Sequence, residues 1–525
     1  MQHPLIFSGV TFAWPDGTVV LDHTDAVFST GRTGLIGDNG AGKSTVLRLI
    51  TGELAPTSGT LTRTGDVAHL PQQLTLESGM SVAELLGVRA KLAALAAIES
   101  GDPDPRHFTV LGDDWDIEAR SRALLDQAGL RSIGLDRPVG TLSGGETVLT
   151  ALIGIQLSNV PVALLDEPTN NLDREARARL RDLVAGWRGT LIVVSHDVEL
   201  LEQMDATVEL RDRRLTVFGG PYSLHQEQLA REQAAAEQAV RTAEQALKVE
   251  KRQRVEAETK LARRRSYART DYLNKRRPKI IMNLRKAEAQ VSAGKLRDDL
   301  GRAVEDAERK LRKQEARVRK EDRIRIALPA PDVPAGRRLL DFHNPDGTVH
   351  VMQGPERVAL TGRNGAGKTR LLETLFREVG EGCRLIAHTG RVGYLPQRLD
   401  HVDDGQEVFT SVREAAPTAD PQQVRADLAR FLLTGDDVHR RIGDLSGGER
   451  FRAALARLLL AEPAHQLLIL DEPTNNLDLK SIDEVVGALE NYRGGVVVVS
   501  HDEVFLDRLG IDTRLELQAG VLTKL

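Results

Sequence analysis

Gly37-Asp38-Asn39-Gly40-Ala41-Gly42-Lys43-Ser44 lies between an apolar run and a helix-like stretch. The chain repeats it 325 positions later as Gly362-Arg363-Asn364-Gly365-Ala366-Gly367-Lys368-Thr369. A strand, a glycine-rich loop, then Lys and a hydroxyl opening a helix is the arrangement that surrounds a phosphate with backbone N–H groups. Two copies at equivalent places leave little room for chance. Lys43 and Lys368 are expected to offset phosphate charge, and Ser44 and Thr369 to bind Mg²⁺.

Further motifs follow each loop in the same order. Copy one continues with Leu70-Pro71-Gln72, Leu142-Ser143-Gly144-Gly145-Glu146, Leu164-Leu165-Asp166-Glu167-Pro168 and Ser195-His196-Asp197. Copy two continues with Leu395-Pro396-Gln397, Leu445 to Glu449 around Ser446-Gly447-Gly448, Leu470-Asp471-Glu472-Pro473 and Ser500-His501-Asp502. The offset is 325 as far as Gln397, 303 at Ser446 and 305 from Asp471 onward, so copy one carries about 22 extra residues between Gln72 and Ser143. That insertion reads as helices broken at Gly101-Asp102-Pro103-Asp104-Pro105, a helical subdomain over about 77–140. Apolar runs such as Val160 to Leu165 and Val496 to Val499 alternate with helical stretches, which predicts α/β units on a largely parallel sheet.

Asp166 and Asp471 end apolar strands, where a carboxylate can hold Mg²⁺ through water; Glu167 and Glu472 are then the candidate general bases. His196 and His501 are candidate γ-phosphate contacts. A Ser-Gly-Gly helix start can also hold a phosphate, although the same tripeptide is an ordinary turn.

Between the copies, Leu224 to Arg325 holds about 29 Lys and Arg against about 17 Asp and Glu, in a chain whose net charge is −5. Within it Arg263 to Lys286 has about ten basic side chains and one acid, Asp271. Pro278 lies in this cluster and breaks any helix arriving there. Leu296, Leu300, Val304, Ala307, Leu311 and Val318 on the return, with Val240, Leu247, Val255 and Leu261 on the way out, predict the seam of an antiparallel coiled-coil hairpin. The expected divisions are 1–222, 223–325 with a tip at about 263–295, and 326–525. The tip residues expected to meet RNA are Arg263, Arg264, Arg265, Tyr267, Arg269, Lys275, Arg276, Arg277 and Lys279.

Cys383 is the single cysteine, which excludes internal disulfides and cysteine-built metal clusters and fits a reducing compartment. No window approaches 18 apolar residues, and Met1 to Val10 reads as a strand rather than a leader. A cytoplasmic protein without a membrane span is expected.

This ordered set resembles the ATP-binding cassette superfamily: phosphate loop, Gln loop, Leu-Ser-Gly-Gly-Glu signature, Asp-Glu-Pro box and switch His, twice. Two cassettes joined by a charged helical hairpin of about 100 residues are similar to the ABC-F subfamily, whose members work on the ribosome. The resemblance implies two ABC-type nucleotide-binding domains packed head to tail within one monomer, each ATP lying between one cassette's phosphate loop and the other's signature. It implies ATP contacts from Trp14 (stacked on adenine), Gly37, Asn39, Gly40, Gly42, Lys43, Ser44, Thr45, Gln72, Ser143, Gly144 and Gly145. In copy two they come from Gly362, Asn364, Gly365, Gly367, Lys368, Thr369, Arg370, Gln397, Ser446, Gly447 and Gly448. Gln72 and Gln397 join Ser44, Asp166, Thr369 and Asp471 around Mg²⁺. The hairpin would enter the tRNA exit site and reach the tRNA in the peptidyl site or the large-subunit rRNA of the peptidyl-transferase centre.

Four departures stand out. Asn171 and Asn476 replace a His common in the subfamily, Leu149 replaces the signature-helix Arg that Arg452 supplies in copy two, and Asn344 precedes the second Pro-Asp-Gly where copy one has Trp14. Phe342 or His343 could replace that ring. Leu149 and Asn344 fall on the Lys368 site, which is expected to hold ATP more weakly or turn it over more slowly. The long tip favours a resistance factor that protects the ribosome from antibiotics over a general translation factor. A dual-cassette importer ATPase would have a short linker, and a non-enzymatic scaffold would be expected to lose Glu167 or Glu472.

Overall fold

The computed structural model describes residues 5–72, 74, 79–170, 172–273, 279–318, 328–377, 382–397, 403–475 and 477–525, without the side chains of 265 and 267–290. The chain divides into two compact units. One comprises Met1–Tyr222 with Arg323–Leu525, and the other is Ser223–Asp322.

Each cassette in the first unit is built on a six-stranded sheet. In copy one the order is Val67–Leu70, Val162–Asp166, Thr190–Val194, Gly31–Ile36, Ala206–Arg211, Arg214–Gly219, with all pairs parallel except the last. Copy two repeats it with Val392–Leu395, Leu467–Asp471, Gly495–Val499, Arg357–Thr361, Thr513–Gln518 and Val521–Lys524. Val162–Asp166 and Leu467–Asp471 are buried at every position, as strands covered on both faces must be, and so they read as unbroken apolar runs. An antiparallel three-stranded sheet packs onto each cassette, with Leu5–Ala13 central in the first and Arg338–His343 central in the second.

Parallel strands bring their C-terminal ends to one edge. The phosphate loops, the acid pairs at 166–167 and 471–472, and His196 and His501 all follow strands of this core, so the topology gathers the chemistry there. Between the Gln-loop strand and the signature helix, copy one has helices Val82–Leu85, Arg89–Glu99, Pro105–Leu111 and Ile117–Gln127. The described residues of copy two have only Val408–Ala415 and Pro421–Arg430 as α-helices there.

Asn344 is bound into copy two. Its Oδ1 accepts from the Leu522 amide at 2.7 Å, and its Nδ2 donates to the Leu522 carbonyl at 2.8 Å and to Thr348 Oγ1 at 2.8 Å, all with the residue 7% exposed. An Asn344→Ala variant leaves buried backbone groups of the last strand unpaired, at a cost of about 2–4 kcal/mol. Amide hydrogen exchange of Val521–Lys524 should quicken accordingly, and unchanged protection there would contradict this role.

The second unit contains helices Tyr222–Leu273 and Lys279–Glu315. Lys251 pairs with Glu308 at 2.9 Å, a contact that requires the helices to run antiparallel. Val304 and Ala307 are buried, Leu300, Leu311 and Val318 half-buried, and Val240, Leu247 and Leu261 half-buried opposite. Two expected seam residues are not on it: Val255 is 61% and Leu296 43% exposed. Continuing the alternating 3,4 spacing from 247 to 261 and from 300 back to 293 places Arg254 and Arg297 on the stripe, so both apolar residues stand one step off it. Pro278 and the turn expected there lie outside the described residues.

Candidate active site

The strand Gly31–Ile36 delivers the first loop to helix Lys43–Thr51, and Arg357–Thr361 delivers the second to Lys368–Glu373. Glycine opens each loop because the backbone passes close to a neighbouring strand. A Cβ on Gly37 would meet the Leu210 carbonyl at 2.6 Å, and one on Gly362 the Leu517 carbonyl at 2.5 Å, at φ 156° and 140°. The buried lysines turn into their own loops. Lys43 Nζ donates to the Gly37 and Asp38 carbonyls at 2.7 and 3.2 Å, and Lys368 Nζ to those of Gly362 and Arg363 at 2.8 and 3.2 Å. Ser44, Thr369 and Arg370 are exposed, while Thr45 is buried beneath its loop.

Glu167 and Glu472 both adopt φ 49°, a left-handed conformation that costs a non-glycine residue about 1–2 kcal/mol. Each is held there by its amide, donating to Val194 at 2.9 Å and to Val499 at 2.8 Å. His196 Nε2 lies 3.1 Å from Glu167 Oε1, and His501 Nε2 lies 3.4 Å from Glu472 Oε1 and 3.0 Å from Lys368 Nζ. Burial pushes Glu167 up to about 8 against the pull of Lys43, and Glu472 up to about 7 against Lys368 and then Arg177. Burial, reinforced by the adjacent lysine, depresses His196 and His501 to about 3, so both rings are neutral. Burial also raises Asp166, opposed by the Ser44 hydroxyl, and Asp471, opposed by Thr369.

Both carboxyl oxygens of Asp471 are buried near the Thr369 and Tyr394 hydroxyls, without a well-aligned hydrogen bond to any described residue. An unpaired buried carboxylate beside a hydroxyl and a lysine-centred glycine loop is a donor set that fits a hard divalent cation carrying an anionic phosphate chain. Gln72 and Gln397 stand exposed two residues past the strands flanking Asp166 and Asp471.

The cassettes meet at these loops. The Asn39 amide donates to Asp478 Oδ2 of copy two at 2.6 Å, and the Asn364 amide donates to Asp173 Oδ2 of copy one at 3.2 Å. Burial would raise both aspartates, but these amides and those of Ser481 and Ala176 outweigh it and hold them low. Neither aspartate is among the site residues expected from the sequence, although each stands seven positions past its Asp166 or Asp471, which was the available signal.

Ser143 and Ser446 close capping boxes, accepting from the Glu146 and Glu449 amides, so Gly144-Gly145 and Gly447-Gly448 open their helices as in an ordinary N-cap. Trp14 packs edge-on to Phe12 at 5.2 Å. Phe342 is 1% exposed within the core and so cannot offer a face in its place, whereas His343 is half-buried. Arg452, the signature-helix Arg of copy two, pairs with Glu484 of its own cassette at 3.2 Å. The corresponding pair in copy one is Leu149 and Arg179, so Leu149 reflects a different packing and not a missing ligand group. Arg263 and Arg264 are exposed. The side chains of Arg265, Tyr267, Arg269 and Lys279, and residues Asn171, Lys275, Arg276, Arg277 and Asn476 altogether, lie outside the described residues.

A family model described as "ABC transporter" matches residues 25–170 and 348–475. With both loops, acid pairs and histidines in place, the chain belongs to the ATP-binding cassette family and is an ATP hydrolase. Within it the chain is an ABC-F protein. It is 33% identical to the tylosin resistance ATP-binding protein TlrC of Streptomyces fradiae over 99% of this chain and 98% of that one. It is 29% identical to the energy-dependent translational throttle protein EttA of Mycobacterium tuberculosis over 93% and 87%. Among solved structures, the RNase-L inhibitor aligns with a TM-score of 0.56 at 17% identity over 100% of this chain and 90% of that one. Archaeal aABCE1, solved with the ribosomal stalk protein aP1, aligns at 0.55 and 18% over 97% and 87%; both likenesses concern the fold. No described helix is long and apolar enough to cross a membrane.

Proposed function

We propose that this chain binds the ribosome in the cytoplasm as a monomer and uses ATP binding and hydrolysis to protect it from a large-subunit antibiotic. The observation that carries the proposal is the pairing of two complete cassettes with a hairpin whose basic side chains are segregated from an otherwise acidic chain. The tylosin resistance named for the Streptomyces relative supports that role. The mycobacterial relative's name, a translational throttle, supports the alternative of a general translation factor.

In this reading Lys43 and Lys368, with the loop amides, bind the phosphates, and Trp14 stacks on one adenine. Ser44 with Asp166, and Thr369 with Asp471, would hold Mg²⁺, which neutralises charge on the transferring phosphate when bound. Glu167 and Glu472 accept the proton of the attacking water, and His196 and His501, uncharged, orient them. The tip arginines hold rRNA or tRNA phosphates. One chain supplies both halves of each site through Asp173 and Asp478, so no second copy is needed.

The test is the susceptibility of a sensitive host with and without this chain, across tylosin and other large-subunit antibiotics. A rise of several-fold in the inhibitory concentration for one drug class is expected. Unchanged susceptibility to all of them, with altered polysome profiles, would favour the general factor.

A further inference from the structure

The two cassettes are alike in their loops and unlike where they press on each other. Helix Arg174–Ala185 of copy one meets copy two through ionic contacts: Asp173 takes the Asn364 amide, Glu175 lies 3.6 Å from Arg363, and Arg174 lies 3.3 Å from Glu503. Arg177 is three residues past Arg174 and four past Asp173, which places it on the same helical face. Its side chain is only 12% exposed, donating from Nε to the Leu172 carbonyl at 3.2 Å and lying 3.3 Å from Asp197. Asp197 and Asp502 follow the two histidines, and Arg174, one turn before Arg177 on this face, reaches Glu503, the residue after Asp502.

The mirror-image face is built differently. At the 305 offset, Arg174 becomes Leu479, Glu175 becomes Lys480, Arg177 becomes Ile482 and Glu503 corresponds to Val198; at the 325 offset of the phosphate loops, Arg363 corresponds to Asp38. Ile482 is buried in the core of copy two, and Leu479 packs against the core of copy one. Both sites keep the amide–aspartate contact, but the Lys43 side has apolar Leu479 and Ile482 where the Lys368 side has Arg174 and Arg177.

We propose that Arg177 is a positioning residue supplied by the first cassette to the second cassette's ATP site, where it holds the His501–Asp502 loop and ties nucleotide retention to cassette closure. Arg174 and Arg363 extend the same ionic latch but are exposed, and contribute less. At the Lys43 site the position of Arg177 is taken by Ile482. Burial of Asp502 raises it, and Arg177 opposes that rise, as a nearby cation does. The inference rests on Lys43 and Lys368 marking two separate nucleotide sites.

Full-length Lys43→Ala and Lys368→Ala variants, each left with one site, can be titrated with a fluorescent methylanthraniloyl-ATP and Mg²⁺. Adding Arg177→Ile, which copies Ile482, should weaken binding roughly tenfold in the Lys43→Ala background and less than about twofold in the Lys368→Ala background. Arg177→Lys should restore most of the affinity, and raising salt should weaken the Lys368 site more than the Lys43 site. Equal loss in both backgrounds, or none in the first, overturns the proposal. If each lysine variant still binds two nucleotides, the site assignment fails, and the inference with it. Should Arg177→Ile not fold because Asp197 loses its partner, Arg174→Leu at an exposed position must show the same site preference at smaller size.

Discussion

Changing Glu167 and Glu472 together to Gln should lower steady-state ATP turnover by on the order of 10²-fold or more while leaving ATP bound. The substitution keeps the side-chain volume and the φ 49° backbone, whose anchoring amides donate to Val194 and Val499, so the loops should not move. It removes the carboxylate oxygen beside each histidine. With hydrolysis blocked, the cassettes have no route back from their closed arrangement, in which Asn39 and Asn364 are held by Asp478 and Asp173. The protein should then remain on ribosomes and stop translation. Rapid dissociation and normal protein synthesis with the double variant would remove both glutamates from the role of base.

Local chemistry was legible in the sequence, and partnerships across the fold were not. A phosphate loop or an acid pair at the end of an apolar run announces itself within a dozen residues, because strand, turn and helix are all local. Arg452 illustrates the opposite case. Its place on the signature helix was readable, but the buried Glu484 that holds it is 32 residues away on another helix. Phe342 reads as a spare aromatic ring until the packing puts it in the core. Asp173, Asp478 and Arg177 gain their meaning only when one cassette is set against the other, and no periodicity within either copy encodes that. In the hairpin the 3,4 stripe was legible while its exact members were not. Val255 and Leu296 are as apolar as the residues that do line the seam, and a one-residue step on a helix is a rotation of about 100°, enough to carry a side chain out of a narrow seam.

Reversing Arg263, Arg264, Arg265, Arg276 and Arg277 to Glu should flatten the salt dependence of ribosome binding. Each arginine–phosphate pair abolished takes roughly 0.7–0.9 off the slope of log affinity against log salt, so five pairs account for about 3.5–4.5. The drop in affinity should therefore be largest in dilute salt and shrink as salt rises, since the wild-type advantage comes from released counterions. ATP hydrolysis without ribosomes should be unchanged, because the substitutions lie in the helical unit 223–322 and the catalytic acids in the other. The two readouts separate a binding defect from a folding defect. Co-sedimentation of wild type and variant with purified ribosomes over a potassium chloride series is the measurement. If the variant pellets as well as wild type at every concentration, the basic cluster is only a solvated turn, and the cassettes themselves must supply whatever affinity for the ribosome the chain has.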